Sequence, residues 1–102
     1  MNTDGVLRIL REAGVNPNAC LVKPRVPVEG ALCLVFGDGT WTVFFNERGT
    51  FTIRESFDSE DQACRFFLKK ALSDPTSRTN FRQTDLVEQR RRAEADLRKY
   101  GL

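Results

Sequence analysis

The sequence predicts an α+β domain: an antiparallel meander of three to four strands, with an N-terminal helix and two C-terminal helices packed on it. Residues 31–56 form three strand-like runs joined by glycine-containing breaks: 31–36 is apolar throughout, whereas 40–45 and 50–56 alternate apolar and polar side chains. The stretches before and after them repeat apolar residues at the spacing of one helix face. With 102 residues, 40% of them apolar, the chain is expected to form a single domain, 1–102, without disulfides or metals.

The first helix is predicted over residues 4–13. Four apolar residues share one helical face: Val6, Ile9, Leu10 and Ala13. Gly14 follows as a helix-ending residue, because glycine enters left-handed backbone without a Cβ clash. Prolines at positions 17, 24 and 27 then predict an extended connector, since proline lacks the N–H that a central strand needs. The sequence leaves open whether part of residues 20–28 adds a fourth strand.

The meander begins with ALCLVF, residues 31–36, which is apolar throughout and therefore typical of a strand covered on both faces. Gly37-Asp38-Gly39 predicts a tight reversal. TWTVFF, residues 40–45, alternates and is the second strand. Alternation places Trp41, Val43 and Phe45 on one face of this strand, and Thr42 and Phe44 on the other.

The second reversal is predicted at Asn46-Glu47-Arg48-Gly49, because asparagine and glycine favour turns. The third strand follows as TFTIRES, residues 50–56. Alternation predicts Phe51 and Ile53 inward, with Thr50, Thr52 and Arg54 outward.

The second helix is predicted over residues 59–73. Asp58 or Ser59 can cap its first N–H groups, and two acidic residues follow at the positive end of the helix dipole. Its apolar face is expected to contain Ala63, Phe67 and Ala71, flanked by Cys64, Phe66 and Leu72. This face is wide enough to cover one side of the sheet.

The last helix is predicted over residues 85–100, with Asp85 and Glu88 forming a capping box. Its apolar stripe is thin: Leu86, Ala93, Leu97 and Tyr100. A helix of this kind is expected to lie on the surface or to pack through a narrow seam.

Composition argues against an enzyme and for a binding protein. The chain has no histidine, which removes Ser-His-Asp and Cys-His catalysis and the commonest transition-metal ligand. The three cysteines match no zinc spacing and are expected to be buried thiols: Cys20, Cys33 and Cys64. No glycine-rich phosphate loop is present either. We therefore expect no catalysis, no cofactor and no metal.

The chain is expected to be cytoplasmic and not membrane-bound. No apolar run approaches the roughly 20 residues of a membrane span. The first ten residues, MNTDGVLRIL, carry an acid at position 4 and no basic segment ahead of the apolar residues, which makes a poor signal peptide. An odd number of cysteines without close pairing also suits a reducing compartment.

Two charged features are candidates for binding. Glu47 and Arg48 are expected on a hairpin turn, where charges are common and where a partner can reach them. Arg90-Arg91-Arg92 lies in the basic segment 78–102 and is the candidate for phosphate contacts. Three successive helical residues point about 100° apart, however, so they cannot form one flat basic surface.

The middle of the chain resembles small immunity proteins of bacterial polymorphic toxin systems, such as contact-dependent inhibition and Rhs systems. The pattern is a Trp-x-Val-aromatic strand, Glu-Arg-Gly, a short strand, and Phe-Asp-Ser-Glu-Asp-x-Ala-Cys opening a helix. It covers residues 39–72, a third of the chain. The matching residues are Trp41, Val43, Phe44, Glu47, Arg48, Gly49, Phe57, Ser59, Glu60, Ala63, Cys64 and Phe67.

This resemblance implies a cytoplasmic protein that binds one cognate toxin domain and blocks its active site or substrate access. It implies no catalysis and no cofactor. The residues expected to contact the toxin are Glu47, Arg48, Arg54, Arg90 and Arg91. The alternative is a small nucleic-acid-binding or regulatory module that uses the basic C-terminal helix. The sequence leaves a homo-oligomer open.

Overall fold

A computed structural model describes residues 1–26, 28–74 and 86–102 of the chain. These residues form three helices and a four-stranded sheet, which confirms the α+β prediction. In chain order the elements are α1 (Thr3–Glu12), β1 (Cys20–Val22), β2 (Ala31–Gly37), β3 (Thr40–Glu47), β4 (Thr50–Phe57), α2 (Glu60–Ser73) and α3 (Leu86–Lys99).

The strands lie in the order β1-β2-β3-β4. The pairs β2–β3 and β3–β4 are antiparallel, as the predicted meander requires. The fourth strand, which the sequence left open, is formed by residues 20–22 and pairs with β2 in parallel, Cys20 opposite Leu32. The sheet is therefore mixed, because the chain crosses back between β1 and β2 instead of reversing in a turn.

Of the connector between β1 and β2, residues 23–26 and 28–30 are described, and Val28 lies against Cys33 on the face of the sheet that we call the outer face. Three residues of that face are buried: Ala31, Cys33 and Phe44. Burial of the thiol raises the pKa of Cys33, and the nearby Val28 backbone partly opposes the shift. The Gly30 N–H donates to the Asn46 carbonyl at 2.7 Å. The connector thus contacts the outer face at Val28 and Gly30.

The main core lies between the inner face of the sheet and α2. Leu34 and Val43 from the sheet are fully buried, as is Phe67 from α2. α1 and α3 pack against the other sides of α2. The three cysteines, all within the described residues, are buried thiols and form no disulfide. Burial raises the pKa of Cys64 to about 11, and the neighbouring Glu60 carboxylate adds to the shift.

The predicted cap of α2 and the predicted end of α1 are confirmed, and α1 also has a cap that the sequence analysis did not assign. Ser59 is the N-cap of α2, and its Oγ accepts a hydrogen bond from the Gln62 N–H at 3.4 Å. Asn2 caps α1 by accepting from the Gly5 N–H at 2.9 Å. Gly14 has a φ of +73°, as expected for the residue that ends α1. Of the capping box predicted for α3, Asp85 lies outside the described residues.

Candidate functional site

The β3–β4 hairpin reverses at only two residues, Arg48 and Gly49. Their φ angles are +51° and +79°, and positive φ at both central residues defines the mirror-image type I′ turn that suits the twist of a hairpin. The four-residue turn predicted at 46–49 is therefore wrong in its extent. Asn46 and Glu47 belong to β3 and pair with Phe51 and Thr50 of β4.

Asn46 is a buried strand residue, with 6% of its surface exposed. It lies opposite Ala31, so its side chain is on the outer face. Within the part of the chain that the structure describes, its Oδ1 atom has no hydrogen-bond partner. A buried carbonyl oxygen without a partner costs about 1–3 kcal/mol. The alternation of β3 indicates this face for position 46, but the turn propensity of asparagine concealed it.

A β-bulge interrupts β4. Val43 pairs with Glu55, whereas Phe45 pairs with Thr52, so two residues of β4 face the single residue Phe44. Ile53, the first of the two, has a φ of +53°. A β-branched side chain in this region costs of the order of 1–3 kcal/mol, and such strain concentrates at functional sites.

The bulge overturns the predicted orientation of Phe51 and Ile53. These residues do not share an inward face: Phe51 lies on the outer face, its ring 4.7 Å from that of Phe44. Ile53 instead lines a groove together with inner-face residues. Both side chains are about half exposed, at 45% and 49%. The extra residue at positions 53–54 breaks the alternation of β4, and the sequence contains no glycine there to indicate it.

The groove beside Ile53 has a volume of about 420 Å³. It lies between the inner face of the sheet and the last turn of α2. The residues that line it are Ala19, Cys20, Gly30, Leu32, Phe45, Ile53, Lys70, Ala71, Ser73 and Asp74. Sequence reasoning did not find this groove, because its lining comes from five stretches that are separate along the chain.

The charged residues predicted for toxin binding fall into two groups. Glu47, Arg48 and Arg54 all lie on the β3–β4 hairpin and are exposed. In residues 1–26, 28–74 and 86–102, none of these three side chains takes part in an ion pair. The structure therefore places them on one hairpin with their charges accessible to a partner.

Arg90 and Arg91 lie on α3, which packs against α2 and not within the hairpin. Both are exposed, but Arg92 is partly buried and its Nη2 atom donates to the Ala13 carbonyl at 2.9 Å. The third arginine thus joins α3 to the end of α1. Arg90 and Arg91 are thus exposed to solvent, whereas Arg92 connects two helices. This agrees with the prediction that the three arginines cannot form one flat basic surface.

The described residues include no group of three histidine, cysteine, aspartate or glutamate side chains able to hold a metal ion. None of the helices described is long and apolar enough to cross a membrane. The chemistry that the hairpin and groove offer is accordingly charge pairing and apolar contact.

Comparison of the chain with family models, with curated proteins and with solved structures gave no match. The likeness to immunity proteins rests on residues 39–72 alone. Within that segment, the β3–β4 hairpin exposes Glu47, Arg48 and residues 50–56.

Proposed function

We propose that this chain is an immunity protein that binds a cognate bacterial toxin domain through its β3–β4 hairpin and blocks the toxin's active site or substrate access. One observation carries this proposal. The hairpin exposes accessible charges and two large apolar side chains, and it holds Ile53 at positive φ, although the core needs none of these features.

The energetics of β4 support a binding role. Seven of its residues, 50–56, are exposed, so the strand adds little to the buried core. A chain that keeps a strained, half-exposed isoleucine there loses stability without gaining core packing. Binding energy in protein interfaces comes mainly from a few apolar and arginine anchors, which this strand offers as Phe51, Ile53 and Arg54.

The charge of the turn indicates how the hairpin would act. Glu47 and Arg48 present opposite charges at the tip of a two-residue turn, and both can make charge-assisted hydrogen bonds inside a cleft. The net charge of the chain is +2, whereas an inhibitor that imitates nucleic acid would be strongly acidic. A toxin whose cleft is not strongly basic, such as one acting on a nucleotide cofactor, fits this charge better.

The proposed mechanism is inhibition by occupancy in the cytoplasm. The hairpin enters or covers the cleft, the core of α2 and the sheet holds it in place, and no bond of the toxin's substrate is made or broken by this chain. The alternative, nucleic-acid binding by α3, receives no added support from the structure because Arg92 is engaged with Ala13.

The test begins with the tagged chain in its native host, washed in moderately high salt, with bound proteins identified by mass spectrometry. The captured toxin domain is then titrated with a double variant, Glu47→Arg with Arg48→Glu. We expect its affinity to fall at least about tenfold, since both charges are reversed at the contact. The thermal midpoint should not fall, because the two side chains make no ion pair within the described chain.

A matched control reverses an exposed pair on α3, Glu94→Arg with Arg98→Glu, and should leave affinity unchanged. Equal affinity of the hairpin variant and the control would remove the hairpin from the mechanism. Recovery of nucleic acid that is lost as salt rises, without a stoichiometric protein, would overturn the proposal itself.

A further inference from the structure

The groove between α1 and β1, which we call the β1 groove, follows the open edge of the sheet. It has a volume of about 670 Å³, and Cys20, Leu21 and Val22 all line it. Successive residues of a strand face opposite sides of the sheet, so a groove lined by three in a row lies beside the strand and not on one face. β1 is the first strand of the sheet, and within the described residues no other strand pairs with it on this side.

The main chain of β1 points into this groove at Val22. On the other side of the strand, the Ala19 carbonyl accepts from the Leu32 N–H at 2.8 Å, and the Lys23 N–H donates to the Leu34 carbonyl at 2.7 Å. Main-chain groups of alternate residues point to the same neighbouring strand, so those of Val22 point away from β2. In the part of the chain that the structure describes, they have no hydrogen-bond partner there. An extended polypeptide is the ligand that such groups recognise.

The helix α1 and the loop after it form an apolar wall of the β1 groove. Leu10 and Val15 line it and are themselves buried, whereas Leu7 is 44% exposed. A strand of three residues offers few main-chain hydrogen bonds, so pairing with β1 alone would be weak. The wall adds apolar surface that can cover the side chains of a paired segment.

The charge of the β1 groove is positive. Among the described residues that line it, Arg11 is the one charged side chain. It is exposed and makes no ion pair within residues 1–26, 28–74 and 86–102. Asp4, the acidic residue on the same face of α1, lies two turns earlier, about 10 Å along the helix axis, and does not line the groove. A carboxylate brought to the groove would therefore meet a cation without an internal partner.

From these observations we infer that the β1 groove binds an extended segment of a partner protein, paired with β1 through its main chain and carrying a carboxylate that contacts Arg11. Val22 supplies the main-chain groups, and the wall of α1 packs against the apolar side chains of the segment. A second copy of this chain fits less well, because two-fold pairing of two β1 strands would bring two Arg11 side chains into one interface. β1 and β4 lie at opposite edges of the sheet, so this site is additional to the hairpin of the proposed function.

A defined peptide tests the β1 groove directly. The probe is acetyl-Val-Glu-Val-Thr-Val-amide, titrated into the ¹⁵N-labelled chain while amide shifts are followed by NMR. Saturable shifts are expected at Leu7, Val15 and Val22, with a dissociation constant of the order of a millimolar for so small a ligand. Exchange of the Val22 N–H with solvent should slow in the complex, because that group gains a hydrogen bond.

Modified peptides separate main-chain pairing from charge. N-methylation of the second and fourth amides, or of the third and fifth, removes the donors from one edge of the peptide at a time. Only one edge faces β1, so one methylated peptide should bind at least about tenfold more weakly than the other. Replacing the glutamate by lysine should weaken binding by at least about fivefold.

A charge exchange on α1 connects the acidic preference to Arg11. Arg11→Glu should weaken binding of the glutamate peptide and strengthen binding of the lysine peptide by similar factors. Arg8→Glu, also exposed on α1 but outside the lining of the groove, should change both affinities by less than about twofold. Recovery with the lysine peptide shows that the Arg11 variant is folded, which a loss of binding alone would not show.

Four results would contradict this inference. Absence of shifts along the β1 groove would overturn the site, and equal binding of the two methylated peptides would overturn main-chain pairing. Equal binding of the glutamate and lysine peptides would remove Arg11 from recognition. Shifts that vanish as the concentration of the chain is raised, at a fixed ratio of peptide to chain, would assign the groove to a second copy.

Discussion

Two hairpins share strand β3, one at each of its ends. In both, the chain reverses at two residues with positive φ. The β2–β3 hairpin turns at Asp38 and Gly39, with φ angles of +53° and +74°. The β3–β4 hairpin turns at Arg48 and Gly49, with +51° and +79°. Asp-Gly is a favoured sequence for this turn, whereas arginine has no such preference. The two turns therefore have similar φ angles, although only Asp38-Gly39 has a sequence that favours this turn type.

The strands that pair with β3 in these hairpins, β2 and β4, differ in the contacts that stabilise them. In β2 the first four residues, 31–34, are buried, because α2 covers one face and the connector covers the other. In β4 residues 50–56 are exposed, and the strand is held mainly by its ladder to β3. A strand can thus be specified by its pairing alone, and one that buries so little is available for contacts outside the chain.

The largest expected difference between the hairpins comes from truncating one apolar residue in each. Leu34→Ala in β2 should lower the free energy of unfolding by about 3 kcal/mol, since Leu34 is fully buried. Phe51→Ala in β4 should lower it by only about 1 kcal/mol, chiefly through the lost contact with Phe44. Urea unfolding measures both. Equal losses would mean that β4 is part of the core.

A substitution at Asn46, in the strand common to both hairpins, is expected to raise the free energy of unfolding. Asn46→Val removes a buried oxygen that has no partner and adds a residue favoured in strands, so the free energy of unfolding should rise by about 1 kcal/mol. The measurement is again urea unfolding, with Thr42→Val on the same face of β3 as control. A loss of stability would show that the amide is satisfied in solution.

The turn itself gives a smaller effect. Arg48→Asn places a residue that tolerates positive φ at the first turn position and should stabilise the chain by about 0.5 kcal/mol. Asp38→Arg makes the opposite exchange in the other hairpin and should destabilise it by a similar amount. Thermal unfolding of the two variants compares the turns directly. If both changes have the same sign, turn propensity does not distinguish the hairpins.

The smallest effect is expected outside both hairpins, at an exposed contact in the first turn of α2. The Met1 ammonium nitrogen lies 2.5 Å from Asp61 Oδ1, and Arg65 Nε lies 3.1 Å from it. Hydrogen bonds from the ammonium group, and then from Arg65, lower the pKa of Asp61. A lowered pKa in the folded chain contributes stability above the unfolded value of about 4, which is lost as the pH falls through the folded value.

Asp61→Asn should therefore have a slightly lower Tm than the unmodified chain at pH 6, and the difference in Tm should narrow as the pH falls through the lowered pKa of Asp61 in the folded chain. Thermal scans across this range make the comparison. A gap that keeps its size in acid would assign the effect to packing instead of charge.

The sequence by itself determined the class of the fold and most of its elements. Helical spacing placed Val6, Ile9 and Leu10 on the buried face of α1, and glycine after an aspartate located the first turn. The sequence also placed Glu47 and Arg48 at an accessible hairpin, because charged residues beside a glycine are local signals. These features depend on neighbours a few residues apart, which is what a sequence pattern records.

Only the tertiary structure decided the rest. The bulge at Ile53 depends on how β4 meets β3, and it carries no glycine that would indicate it. Burial of Asn46 depends on the connector that crosses the outer face, and the groove depends on the place where α2 ends above the sheet. Each of these features forms where segments that are distant in the chain come into contact. Neither the spacing of apolar residues within one segment nor residue propensity can therefore indicate it.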